Sequence, residues 1–181
     1  IYAYLPYKWS GSLLAISVIC FVSIDVFRQK NQILNEYMIQ VFKPIMRHSE
    51  VHRLAGTTYL LLGVAVVVYS FPRDIVILTL LLLAFADPLA SIVGIKFGKD
   101  KILGNKSLQG SMAAFFVCSS LTFGYMFYHV ILLDRILIIS LLAGLVGTLA
   151  ELIPIRKLDD NFTLPVVSGL TLWLLFTIFG A

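Results

Sequence analysis

The chain has 181 residues, 59% of them hydrophobic and only 13% charged, with a formal net charge of +4 and a mean hydropathy of +0.93. A soluble domain of this size is nearer half apolar and a quarter charged, so a water-soluble enzyme is excluded, as is a nucleic-acid binder with a dense basic face. The two cysteines, Cys20 and Cys118, lie within apolar runs, which excludes a disulfide framework and any cysteine-based metal site.

Six apolar runs follow in chain order. They cover Trp9 to Phe27, Thr57 to Phe71, Ile75 to about Ile95, Gln109 to Tyr128, Arg135 to Leu152 and Thr163 to Phe179. Most are long enough to cross a hydrocarbon core of ~30 Å as a helix. The second is short, and its helix is expected to begin earlier, near Glu50. The runs are continuous rather than alternating, which argues against a strand barrel. The expected fold is all-α: a polytopic helical bundle forming one membrane-embedded domain over residues 1–181. No internal repeat is present. The chain begins at Ile1 rather than a methionine, which leaves room for residues upstream, and Pro6 to Cys20 lacks the basic start and small-residue cleavage site of a cleavable signal.

The basic residues sort by connection. Arg28, Lys30, Lys43, Arg47 and Arg53 fall in the first, Lys96, Lys99, Lys101 and Lys106 in the third, and Arg156 and Lys157 in the fifth. That is eleven of the fourteen Lys and Arg. Lys8, Arg73 and Arg135 occupy the other side. The split places the odd-numbered connections in the cytoplasm. Within the first connection, Ile33, Tyr37 and Val41 share one helical face, as expected of a helix lying on the membrane surface and bent at Pro44.

The acids gather on the same side. Asp87 lies inside the third apolar run, where a charge costs about 2.5–3.5 kcal/mol on insertion scales and faces the bundle interior. Pro88 is expected to open the backbone there, into a wet cleft. Asp87, Ser91, Gly94 and Gly98 repeat at helical spacing, and so do Gly144, Gly147, Thr148 and Glu151. Close helix packing through small residues accounts for the glycines equally well, but not for Asp87 and Glu151. In "NKSLQGS", Ser107 is an expected N-cap, and the N–H groups after it, with Lys106, form an expected anion site. Phosphate is the natural ligand. Asp87 and Glu151 would then share Mg²⁺, which takes one or two carboxylates plus substrate phosphates.

Three blocks make the chain resemble a known family. They are "EVHRLAGTTYLLLG" (50–63), "ADPLASIVGIKFGKDKILGNKSLQGS" (86–111) and "ELIPIRKLDDNFTLP" (151–165). In order and spacing they are similar to the CTP-dependent lipid kinases, the family of dolichol kinase, phytol kinase and the CTP-type diacylglycerol kinase. The middle block is also similar to phosphatidate cytidylyltransferase. Asp159, Asp160 and Asn161 followed by Pro165 depart from that enzyme's acidic signature and favour the kinase branch.

The resemblance implies a membrane enzyme on the cytoplasmic side that uses CTP and Mg²⁺ to phosphorylate a lipid alcohol, whether polyprenol, phytol-like alcohol or diacylglycerol. It implies Asp87 as metal ligand or base, and Lys106 on phosphate with Lys96 as a lesser candidate. Ser107 and Gly110 would shape the phosphate-binding helix start beside Gly98. Glu151 and Asp160 would share the metal. Asn161 would contact phosphate or the cytosine edge, and Arg53 would pair with Glu50 or reach phosphate. Gly56, Ser91 and Gly94 would support the site. His48 and His52 lie at the cytoplasmic edge as weaker base candidates, and His129 lies at the far side. The competing readings are α-phosphorus attack, as in a cytidylyltransferase, and a small transporter with a broken-helix ion site, which predicts inverted repeats. The sequence does not distinguish the lipid or the oligomeric state.

The charge split is directly testable. A cysteine introduced at Arg73 should react with an impermeant thiol reagent applied to intact cells, and one at Lys101 only after permeabilisation. Labelling of position 101 from outside would reverse the topology.

Overall fold

The computed structural model describes residues 7–42, 53–104, 106–152 and 159–180. Glu50, His48, His52, Pro44, Arg156 and Lys157 lie outside them, and the expected Glu50–Arg53 pairing with them. The architecture is an all-α bundle of α1 (Tyr7–Lys30), α2 (Gln32–Phe42), α3 (Gly56–Ser70), α4 (Arg73–Leu81), α5 (Asp87–Phe97), α6 (Leu108–His129), α7 (Ile136–Leu152) and α8 (Asp160–Phe179). A two-stranded hairpin, β1 (Lys101–Leu103) with β2 (Lys106–Ser107), joins α5 to α6.

Five stretches are long and apolar enough to cross a membrane: Trp9–Lys30, Arg73–Phe97, Leu108–His129, Leu133–Leu152 and Asp160–Phe179. They match five of the six expected runs. The remaining run is α3, an apolar helix of 15 residues. It does not extend back towards Glu50 in the way the sequence suggested, because Arg53, Leu54 and Ala55 are not helical. On α2, Ile33, Tyr37 and Val41 are all exposed on one face, in keeping with a surface-lying helix.

The third span departs from expectation at Pro88. Proline lacks an N–H, and its ring crowds the carbonyl four residues back. The backbone answers by widening into a π-helical turn at Leu82–Ala86, after which α5 continues. The helix is swollen rather than opened, so Asp87 sits on a continuous 25-residue span directly after a π-turn.

The core runs along the bundle axis and includes Leu78, Leu82, Met126, Ile139, Ala143, Leu172 and Phe176. At one end of the bundle, Tyr125 Oη donates to Asp74 Oδ1 at 2.6 Å, and Arg135 Nη1 donates to the Phe179 carbonyl at 3.2 Å. His129 stacks at this end against Tyr125, with centroids 4.4 Å apart. The opposite end gathers the last turns of α1, α5 and α7 and the first turns of α3, α6 and α8.

That second end is locked by a buried ion pair. Asp25 and Arg28 on α1 are 4% and 2% exposed. Arg28 Nε donates to Asp25 Oδ1 at 2.7 Å, Nη1 to Asn35 Oδ1 of α2 at 3.0 Å, and Nη2 to the Arg53 carbonyl at 2.8 Å. Asp25 Oδ2 accepts from the Ala55 N–H and the Thr58 hydroxyl, both at 2.7 Å. Ala55, at the start of α3, has no cap of its own, so a carboxylate from another helix caps it. Breaking one half of such a pair leaves a buried, uncompensated charge and costs about 3–5 kcal/mol. Asp25→Ala should therefore lower the thermal midpoint sharply in detergent. Asp25→Leu combined with Arg28→Leu should recover only part of the loss, since the α3 cap stays missing.

Candidate active site

The hairpin after α5 is held down by α6. Gln109 Oε1 accepts from the Lys99 N–H at 3.1 Å, Gln109 Nε2 donates to Asp100 Oδ2 at 2.9 Å, and the Leu108 N–H donates to the Asp100 carbonyl at 2.8 Å. Gly104, at φ +57°, supplies the left-handed turn. Ser107 is the N-cap that the sequence implied: it is buried, and its Oγ accepts from the Gly110 N–H at 3.2 Å. The expected anion site is correspondingly reduced, because the Leu108 and Gly110 N–H groups already have acceptors.

The glycines of α5 and α6 serve close approach. A Cβ on Gly110 would lie 2.9 Å from the Ala90 carbonyl oxygen, and one on Gly98 would lie 2.6 Å from Ser107 Oγ. A Cβ on Gly94 would also press on Ser107 Oγ, at 3.2 Å. On α7, Gly144 abuts Phe115 and Ser119 of α6, and Gly147 abuts Cys118. The two small faces are thus helix seams. The charged residues set along them do something else.

Lys106, on β2, reaches across to α7. Its Nζ lies 2.8 Å from Glu151 Oε1, with side chains 41% and 9% exposed. Three cavities share Glu151, and two of them also Lys106. One, of about 200 Å³, lies between α5 and α6 and is lined by Ser91, Gly94, Lys106, Ser107, Gly110, Ser111 and Glu151, with Ala90 and Ile95. The second is acidic and is lined by Asp87, Lys106, Ala150, Glu151, Asp160, Thr163 and Leu164. The third runs into the bundle from Asp87 and Glu151 along Leu82, Leu83, Ala86, Ala114, Cys118, Gly147, Leu164 and Ser168. Asp87 is half-buried and Asp160 is exposed at the first turn of α8, which Asp159 caps by accepting from the Asn161 N–H at 3.0 Å.

Asp87, Lys106, Glu151 and Asp160, which are distant in sequence, therefore share one cleft, with Ser91, Gly94, Ser107 and Gly110 on its wall. Lys96, Gly98, Arg53, Gly56 and Asn161 do not line these three cavities. Lys96, Lys99 and Lys101 are exposed, Arg53 gives its carbonyl to Arg28, and Gly56 is buried at the start of α3. The donor set fits Mg²⁺ in one manner. Among the described residues no three Asp, Glu, His or Cys side chains form a ready-made cation cage. Two carboxylates facing one cleft suit an ion whose remaining ligands arrive on a polyphosphate. Sequence reasoning passed over Thr163 and Ser111 in the cleft, and Asp25 at the α1–α3 junction. Asp25 carried a readable signal, being the one acid inside the first apolar stretch.

No family model matches the chain, and no solved structure does. Curated proteins do. A CTP-dependent diacylglycerol kinase 1 of Schizosaccharomyces pombe is 35% identical over 163 residues, covering 83% of this chain and 74% of the relative. The protein of that name from Eremothecium gossypii is 34% identical, over 87% of this chain and 56% of its own. A probable chloroplastic phytol kinase of Triticum aestivum is 34% identical over 68% of this chain and 45% of its own. The chain belongs to the CTP-dependent lipid kinase family. It spans about three quarters of the first relative and little more than half of the second. Membership puts it among the phosphoryl-transferring membrane enzymes, and in this CTP-dependent lipid kinase the shared cleft is the candidate active site.

The α5–α6 seam is its most sensitive support. Gly110→Val would force a side chain against the Ala90 carbonyl, an overpacking that typically costs about 1–3 kcal/mol. The variant should show a lowered thermal midpoint and loss of phosphoryl transfer, whereas Gly124→Ala, at a position with open space around it, should change neither.

Proposed function

We propose that the chain transfers the γ-phosphoryl group of CTP to the hydroxyl of a membrane lipid alcohol, giving a lipid phosphate and CDP. The observation that carries this reading is the convergence of Asp87, Glu151 and Lys106, from three separate segments, at the capped start of α6. In phosphoryl transfer the protein mainly positions the reactants and neutralises charge. The lipid oxygen forms a bond to the γ-phosphorus, the bond from that phosphorus to the bridging oxygen breaks, and the electron pair leaves with CDP.

Lys106 holds phosphate, exchanging its bond to Glu151 for one to the nucleotide. Ser91, Ser107 and Ser111 give the chamber beside it a hydroxyl lining suited to a nucleotide. Asp87 is the residue closest in role to the chemistry, as a ligand of Mg²⁺ or as the acceptor of the hydroxyl proton. When bound between Asp87 and Glu151, with Asp160 at the rim, Mg²⁺ would supply neutralisation of the phosphate oxygens. Asn161 and Arg53 keep an auxiliary role in nucleotide contact. The site end of the bundle carries the basic connections, which supports a cytoplasmic orientation.

Diacylglycerol is the first acceptor to test. The relatives named for it align over 83% and 87% of this chain, against 68% for the wheat phytol kinase. Purified protein given CTP labelled at the γ-phosphate, Mg²⁺ and diacylglycerol should yield labelled lipid and unlabelled CDP. Label released as pyrophosphate would replace this reading with nucleotidyl transfer. Asp87→Asn keeps the size of the side chain and removes its charge. Loss of one preorganised electrostatic contact costs roughly 10²–10³ in rate, so turnover should fall by that factor while the thermal midpoint holds or rises, a neutral amide being easier to bury than a carboxylate. A folded Asp87→Asn protein with normal turnover would remove Asp87 from the site.

A further inference from the structure

The third span has different neighbours on the two sides of its π-turn. Before the turn, α4 packs on α3, α6 and α8. After it, α5 packs closely on α6 alone among the described elements. Since α6 packs on α7 and α7 on α8, these helices form a ring that is closed at the level of α4 and, among the described residues, not closely packed between α8 and the π-turn or α5. The outer face of α5 bears Leu89 and Ile92, both exposed. On the inner side, Leu83 and Leu164 line the narrow apolar cavity that ends at Asp87 and Glu151.

The geometry points to this wedge as the seat of the lipid acceptor, with the hydroxyl at Asp87 and the hydrocarbon leaving between Leu83 and Leu164 into the bilayer. The inference rests on the lipid kinase reading and adds to it the route and the residues that select the acceptor. A lipid alcohol cannot reach a membrane-embedded carboxylate through water, because every methylene it exposes is penalised. Its path must open sideways, at the depth of the reacting group. The wedge meets that requirement on three counts: it is open beside Asp87, it is apolar below it, and it is continuous with the acidic cavity that Leu164 and Thr163 share with Asp87. The hydroxyl-lined chamber on the other side of Lys106 and Glu151 is left to the nucleotide, so the two substrates approach the carboxylates from opposite directions. The π-turn makes the division. It carries Leu83, so that one span serves as core along α4 and as the edge of a portal from the π-turn to Asp87.

The test uses the full chain in lipid nanodiscs with a diacylglycerol bearing a photoreactive diazirine on its acyl chain. Adducts are mapped by mass spectrometry with and without excess unlabelled diacylglycerol, and transfer from CTP is measured in the same samples. Competed adducts at Leu83 and Leu164 are expected. Leu83→Trp and Leu164→Trp should each raise KM for the lipid at least tenfold, and Leu83→Trp, outside the acidic cavity, should leave KM for CTP unchanged. The mapping needs no variant, so it decides the matter even if a tryptophan disturbs folding. Intact transfer with competed adducts elsewhere would overturn the wedge. Competed adducts at Leu83 and Leu164 without transfer would uphold the wedge as a lipid site and sink the kinase reading instead. Neither adducts there nor transfer would overturn both.

Discussion

The close crossing of α5 and α6 is the constraint on which the site depends. Gly94, Gly98 and Gly110 let the two backbones approach until Ser107 lies against α5, leaving no room for a Cβ at Gly98 or Gly110. That proximity allows a hairpin of only a few residues to join the helices, and the hairpin projects Lys106 over α7 to Glu151. In a membrane, where lipid tails are as apolar as leucine, helix association relies on such van der Waals contact rather than on hydrophobic burial. The seam therefore gives both the adhesion of the two helices and the registration of the charged groups beside it.

Charge is handled in two ways within one bundle. Asp25 and Arg28 are buried, and the partners of both carboxylate oxygens and of the guanidinium are supplied by α1, α2, the segment before α3 and α3 itself. That arrangement ties three segments together and acts as a fastener. Lys106 and Glu151 are paired by a single contact, beside cavities and with the lysine partly exposed. An ion pair of this second kind can exchange partners, and this separates a site from a scaffold although both are acid–base pairs at the same end of the molecule.

Much of this was legible in the sequence, for physical reasons that can be named. Span positions followed from apolar run length, and the Ser107 cap followed from its place between a basic loop and an apolar run. Asp87 stood out because a carboxylate inside a membrane span needs a reason. The π-turn was not legible. Proline predicts a disturbed ladder, but whether the helix opens or widens depends on which neighbours can satisfy the freed groups. The Asp25 network was hidden for a related cause: two of its links go to backbone groups at Arg53 and Ala55, which carry no sequence signature. Nor could the sequence divide the roles of the small faces. Gly94 and Gly98 continue the helical spacing of Asp87 and Ser91, and only the distances show that these glycines form a seam against Ser107.

The 15 residues of α3 rise only about 22 Å, while the span from Arg73 to Phe97 rises about 37 Å. A bilayer surrounding both cannot match both, and hydrophobic mismatch of this kind is relieved by local thinning around the shorter helix or by tilt of the longer one. Because α3 lies against α8, any thinning around α3 would extend to the α8 flank of the bundle. Asp87 is ten residues short of the end of its span, roughly 15 Å along the axis, deeper than a headgroup plane normally sits. Thinning there would bring the headgroup region of the surrounding lipid nearer to the depth of Asp87.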